Sequence, residues 1–264
     1  MRFGVSMPNT GDPAELVGLA VAADENGWDG FFLWDHLQAL PNMLDPWVVL
    51  GAVAARTSRV RLGAMVTPVP RRRPWKLAKE IATLDHLSRG RVIVGVGLGV
   101  PADTEYGAFG EPMDPRIRAA MLDEALPLLD AFLRGERVDH EGEHYRVHAH
   151  LSPPAVQRPR PPIWVAATLP HVRPVARARH WDGIFPLDSA VGPLSAEAIA
   201  ELVTTLDSRP AYDVVGLLTP TISADDLADA GATWAIDGPS GPAESIADVR
   251  SRVEAGRPGT TSGD

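Results

Sequence analysis

The octet WDGFFLWD, Trp28 to Asp35, returns as WDGIFPLD, Trp181 to Asp188. Each copy follows a stretch with helical spacing and runs into a short apolar segment, so each reads as a helix end, a glycine turn and a strand. Outward from the two octets the same alternation continues. Strands are predicted at Arg2 to Met7, Gly30 to Trp34, Arg59 to Met65, Arg91 to Gly97, Ile163 to Ala167, Gly183 to Phe185, Tyr212 to Val215 and Thr233 to Ile236. Amphipathic helices are predicted at Asp12 to Asn26, Asp45 to Arg56, Pro74 to Ser88, Asp114 to Arg134, His171 to His180, Ser195 to Asp207, Ser223 to Ala230 and Pro242 to Glu254. Alternating units of this kind predict an α/β chain whose parallel sheet closes into a (β/α)8 TIM barrel. The octets then lie in units two and six, half a barrel apart, although shared helix-to-strand grammar is enough to account for their likeness. An open doubly wound sheet is the competing arrangement.

Composition narrows the function classes. The chain has 264 residues, 45% of them hydrophobic, a net charge of −9 and no cysteine. That describes a globular chain with a sizeable core, without disulfides or thiolate metal sites. The acidic balance argues against nucleic acid and anionic membranes as partners, with Arg71-Arg72-Arg73 the one basic run. No apolar segment approaches the roughly 20 residues that span a bilayer, and MRFGVSMPN opens like a strand, so a cytoplasmic location is expected. Residues 1–255 are expected to form one domain and 256–264 a flexible tail.

The stretch HEGEH, His140 to His144, spells the H-E-x-x-H zinc-hydrolase motif. That motif has chemical force on a helix, where both histidines share a face. Here Gly142 sits inside it, and the flanks RVDH and HYRVHAH alternate as strands do, so a hairpin is expected and no metal site. The proline-dense HLSPPAVQRPRPP, His150 to Pro162, is expected to be a stiff crossing over the surface.

In a parallel barrel, chemistry gathers at the carboxyl ends of the strands. Among the residues there, Asp35-His36 is the acid/base candidate: a histidine can carry a proton near neutral pH, with Asp35 orienting it or bonding a cofactor amide. Gly95, Gly97 and Gly99 of GVGLG would let a flat ligand approach the backbone, yet they do not form a dinucleotide fingerprint. Ala166-Ala167-Thr168, leading to the helix at His171, could take a phosphate with help from Arg173 and Arg177. The seven tryptophans are expected to be mostly core.

The ordered segments FFLWDHL, TSRVRLGAMVTPVPRRRPWKLAKE, GRVIVGVGLG, GEHYRV, PPAVQRPRPPIWVAA and ARHWDGIFPL resemble the luciferase-like monooxygenase family of flavin- and F420-dependent oxidoreductases. The resemblance implies a TIM barrel binding F420 or FMN at its carboxyl end and moving a hydride between the ring and a small organic substrate. It implies catalytic roles for His36 and Asp35. Cofactor contacts would come from Asp35, from Met65, Val66 and Thr67 around a non-proline cis peptide at Met65-Val66, from Gly97, Leu98 and Gly99 at the ring edge, and from Ala166, Ala167 and Thr168 at the phosphate. A flavin or F420 reductase as partner, and a homodimer, are further implications. The rival reaction is a two-component monooxygenase using reduced FMN and O₂; a non-catalytic flavin-binding protein stands behind it. Sugar-phosphate dehydrogenases of the F420 branch share the WDHL-like stretch, but this chain has Val100 where they carry Glu and Leu40 where they carry Trp. The short chain leaves little room for a lid, so a rather open pocket is expected.

Overall fold

The structure is a computed structural model that describes residues 1–206, 211–239 and 244–258. Strands β1 (Arg2–Met7), β2 (Gly30–Leu33), β3 (Arg61–Ala64), β5 (Val94–Gly97), β8 (Ile163–Thr168), β9 (Gly183–Leu187), β10 (Asp213–Leu217) and β11 (Trp234–Asp237) form one parallel sheet. Each predicted strand is present. The sheet runs β3-β2-β1-β11-β10-β9-β8-β5, and a short strand β4 (Thr67–Pro68) lies beside β5. Its ends meet where the N–H of Leu62 donates to the carbonyl of Arg91 (3.0 Å) and that of Ile93 to Leu62 (2.9 Å). The sheet is thus a closed barrel, not an open doubly wound one.

Closure at that seam depends on glycine. A Cβ on Gly63 would stand 1.9 Å from the carbonyl oxygen of Ile93, so only a residue without a side chain lets β3 and β5 come this close.

Helices α1 (Pro13–Glu25), α2 (Pro46–Arg56), α3 (Pro74–Leu87), α5 (Pro115–Arg134), α6 (Val172–Ala178), α7 (Ala196–Thr205), α8 (Ala224–Asp229) and α9 (Ile246–Glu254) cover the outside of the barrel. Their starts follow the capping rules. Asp12, Asp45 and Asp114 each precede a proline and accept a backbone N–H of the first turn, and Ser223 and Ser245 form capping boxes. The helix predicted from Pro242 and the end of the one predicted to Asp207 reach residues outside those described, as does the tail from 259. Among the described tail residues, Arg257 approaches Asp29 to 3.4 Å.

Two separate apolar layers result. Leu16, Leu50, Ile81, Leu129 and Ile199 pack between sheet and helices. Phe32, Trp164 and Trp234 fill the barrel itself, with ring centroids 5.2 to 6.0 Å apart. The octet repeat belongs to this design. Asp29 and Asp182 each accept an N–H at the start of the preceding barrel strand, from Phe3 and Ile163, both at 2.8 Å. Gly30 and Gly183 leave space for the aromatic rings of Trp234 and Trp164. Phe32 and Phe185, at corresponding positions, both point inward.

HEGEH lies on an antiparallel hairpin, β6 (Arg137–Glu141) and β7 (Arg146–His150), beside the barrel. Glu124 of α5 anchors its turn by accepting the backbone N–H groups of His144 and Tyr145 and a ring nitrogen bond from His140. Its two histidines therefore do not share a helical face. Beyond the hairpin, Asp85, fully buried in α3, fastens the proline-dense crossing: it accepts from the N–H groups of Val156 and Gln157 and from the Gln157 side chain at 2.8 to 2.9 Å.

Candidate functional site

At the carboxyl end of the barrel a cavity of about 630 Å³ opens above the aromatic plug. Its floor is apolar, with Met65, Phe185, Leu187 and Ile236 shared with the barrel core. Asp35, His36, Val66, Gly97, Leu98, Gly99, Ala166 and Thr168 line the walls, so the predicted site residues from four different strand ends converge on one space. Two do not. Ala167, in the strand rather than a loop, alternates outward into the layer between sheet and helices. Thr67 is fully buried in β4 and does not line the cavity, its hydroxyl without a partner among the described residues. The Met65-Val66 peptide is cis.

His36 enters from the loop after β2. Its backbone is fixed by Asn9, fully buried, which donates to the His36 carbonyl (2.8 Å) and accepts the His36 N–H (3.2 Å). The ring meets Trp34 edge-on at 6.0 Å. Its side chain is 22% exposed, and Nδ1 is buried without a hydrogen-bond partner among the described residues. Burial is the largest influence on the imidazole and pushes it down; Glu105 pulls upward and Arg71 downward, leaving it below its ordinary value.

The surrounding charges form a closed set. The Asp35 carboxylate is held by Arg71 Nη2 at 2.7 Å and Arg72 Nη2 at 2.8 Å. Arg71 reaches with its other nitrogen to Glu105, which also accepts the N–H groups of Leu37 (2.9 Å) and Gln38 (3.0 Å). Burial raises the Glu105 carboxyl, but these backbone donors and the Arg71 guanidinium outweigh it and hold it below the usual carboxylate range. The carboxylate facing His36 is Glu105, with Oε1 3.7 Å from Nδ1.

The glycine loop is braced from behind. Tyr106 donates to the Leu98 carbonyl at 2.5 Å, and Arg118 donates to Leu98 and Gly99 at 3.1 and 2.6 Å. Arg118 also lies 4.6 Å over the Tyr106 ring, and burial pushes that phenol up to about 12. A Cβ on Gly97 would come within 2.8 Å of Val66, so the bare backbone shapes this wall. At the rim stand Thr168, His171 and Arg177, the last tied to Asp123 on α5; Arg173 does not line the cavity.

Glu105, Arg118 and Tyr106 were not legible as site residues. Glu105 sits on a four-residue helix, α4 (Ala102–Glu105), too short to show a period. Arg71 and Arg72 stood out as a basic run, which says nothing of the buried carboxylates they meet.

The family described as luciferase-like monooxygenase matches residues 1–256. An F420-dependent glucose-6-phosphate dehydrogenase of Nakamurella multipartita is 43% identical over 142 residues, 51% of this chain and 41% of that protein. One of Nocardia farcinica is 35% identical over 218 residues, 74% of this chain and 62% of that protein. The chain thus spans about two to three fifths of the length of these relatives. Among solved structures, the F420-dependent tetrahydromethanopterin reductase of Methanopyrus kandleri superposes with a TM-score of 0.77 at 18% identity, covering 96% of both chains. At that identity the likeness speaks for the fold, which is the barrel described above. With a match that extends across the whole barrel, the chain belongs to the luciferase-like monooxygenase family.

Proposed function

We propose that this chain is an oxidoreductase that holds F420 in the barrel-mouth cavity and exchanges a hydride with a small alcohol or carbonyl compound. The observation that carries the reading is His36: a half-buried imidazole on the wall of an apolar cavity, with one nitrogen sequestered and the other left to a ligand. The residues present suit the cofactor. The cavity is within the usual size range for cofactor sites, its floor is apolar, and Gly97 lets a flat ring approach the backbone. Met65, Val66, Leu98 and Ala166 would hold the ring, and Thr168, His171 and Arg177 would meet an anionic side chain. Bound there, a deazaflavin supplies the hydride chemistry.

His36 supplies the proton chemistry. Its neutral ring accepts the hydroxyl proton as an alcohol is oxidised, and its protonated ring returns one to a carbonyl oxygen in the reverse direction. Asn9 and Trp34 fix where that nitrogen stands.

F420 is preferred to FMN because the relatives at 35 to 43% identity carry F420 in their names. Their sugar-phosphate substrate is not carried over: Val100 lines the cavity and Leu40 is half exposed where those enzymes are expected to have Glu and Trp. A His36→Ala variant tests the assignment. It should bind F420 as the parent does and lose about 10²- to 10⁴-fold in kcat with any alcohol the parent oxidises. Full activity in the variant would remove His36 from the chemistry.

A further inference from the structure

His36 has two ring nitrogens, and the structure treats them differently. Nδ1 is buried and has no hydrogen-bond partner among the described residues, whereas the ring as a whole borders the cavity. A buried imidazole nitrogen without a partner is costly, and small displacements that supply one are favoured. Among the described residues, the charged groups that act on this ring are Glu105 from α4, Asp35 from the same loop, and Arg71 from the segment after β4. Asp35 is saturated by Arg71 and Arg72, and Arg71 can only donate. Glu105 remains, fully buried, with Oε1 3.7 Å from Nδ1.

Glu105 is also unusually fixed. One oxygen accepts the Gln38 N–H at 3.0 Å, the other the Leu37 N–H at 2.9 Å and the Arg71 guanidinium. Leu37 and Gln38 follow His36 directly, so the carboxylate binds the loop that carries the histidine as well as facing its ring. Rotation away from His36 would break several bonds at once.

We propose that Glu105 is the positioning residue of His36: it accepts Nδ1–H, fixes the tautomer in which Nε2 is the bare nitrogen, and so presents a base to the cavity. The proposal rests on the proton role assigned to His36 above. The proton balance is simple. Nε2 takes the substrate proton, the ring becomes the imidazolium with Nδ1–H still facing Glu105, and the carboxylate stays ionised throughout. Arg71 completes the device by holding Glu105 and Asp35 with one guanidinium, so the two carboxylates cannot compete for the ring.

Nitrogen-15 NMR of the histidines in the ligand-free protein tests this, with His36 assigned by comparison with the His36→Ala variant. The neutral ring is expected to carry its proton on Nδ1. A proton on Nε2 would overturn the proposal without any further variant. In Glu105→Gln, which keeps an acceptor for the loop N–H groups but loses the charge, the His36 pKa is expected to fall by about one pH unit and the proton to redistribute toward Nε2. An unchanged tautomer and titration in a folded variant would equally refute it. Binding of F420 is measured separately by fluorescence: its failure beside an Nδ1–H ring would sink the cofactor assignment and leave the role of Glu105 standing.

Discussion

At the scale of single residues, the site turns on how one imidazole is kept neutral. Burial lowers the His36 pKa from its usual 6.5, and the nearby Glu105 only partly offsets this. The deprotonated ring therefore predominates at neutral pH. For alcohol oxidation, kcat/KM should rise with pH on a limb centred below the ordinary histidine value of 6.5; a limb centred above 6.5 would contradict the burial argument. The same shift carries a stability sign. A depressed histidine contributes stability above its unfolded pKa, and that contribution is lost as pH falls through the folded value. Asp35-His36 stood out as a candidate because the residues read as following the strands hold one histidine and few carboxylates. The partners of both residues did not, because Arg71 reaches Asp35 from 36 residues further along the chain, and Glu105 faces His36 from a distant short helix. Local spacing does not encode such meetings.

Secondary elements were easier to read. The helices predicted at Asp12 to Asn26, Asp45 to Arg56 and Asp114 to Arg134 lie within a residue of the observed ones, because the chemistry that starts and ends a helix is local. HEGEH was read as a hairpin for the same reason: Gly142 and the alternating flanks outweigh the spelling. What local signals missed was α4, and with it Glu105. The crossing from His150 to Pro162 offers a test at this scale. Asp85→Ala would leave the buried donors of Val156 and Gln157 unpaired, which costs about 3 kcal/mol and should appear as a lower urea midpoint with the cofactor site intact. A variant as stable as the parent would show that the crossing is held by its prolines instead.

For the molecule as a whole, the count of units predicted the barrel, and the octets marked two strands that play the same part on opposite sides. The seam between β3 and β5 was not foreseen in detail, since Gly63 reads in sequence as a weak strand residue and only the approach of Ile93 explains it. Gly63→Ala should therefore destabilise by about 3 kcal/mol or more, beyond what one added methyl costs elsewhere in a core. Denaturation compared with an alanine placed at Gly51, which has open space, would check this; equal effects would deny the seam its special role.

The barrel mouth is proposed as an F420 site. Titrating the purified protein with F420 and, separately, with FMN while following cofactor fluorescence tests it most directly. Saturable binding of F420 in preference to FMN is the predicted result. Preference for FMN would move the chemistry toward oxygen and a partner reductase, and binding of neither would contradict the assignment of the cavity.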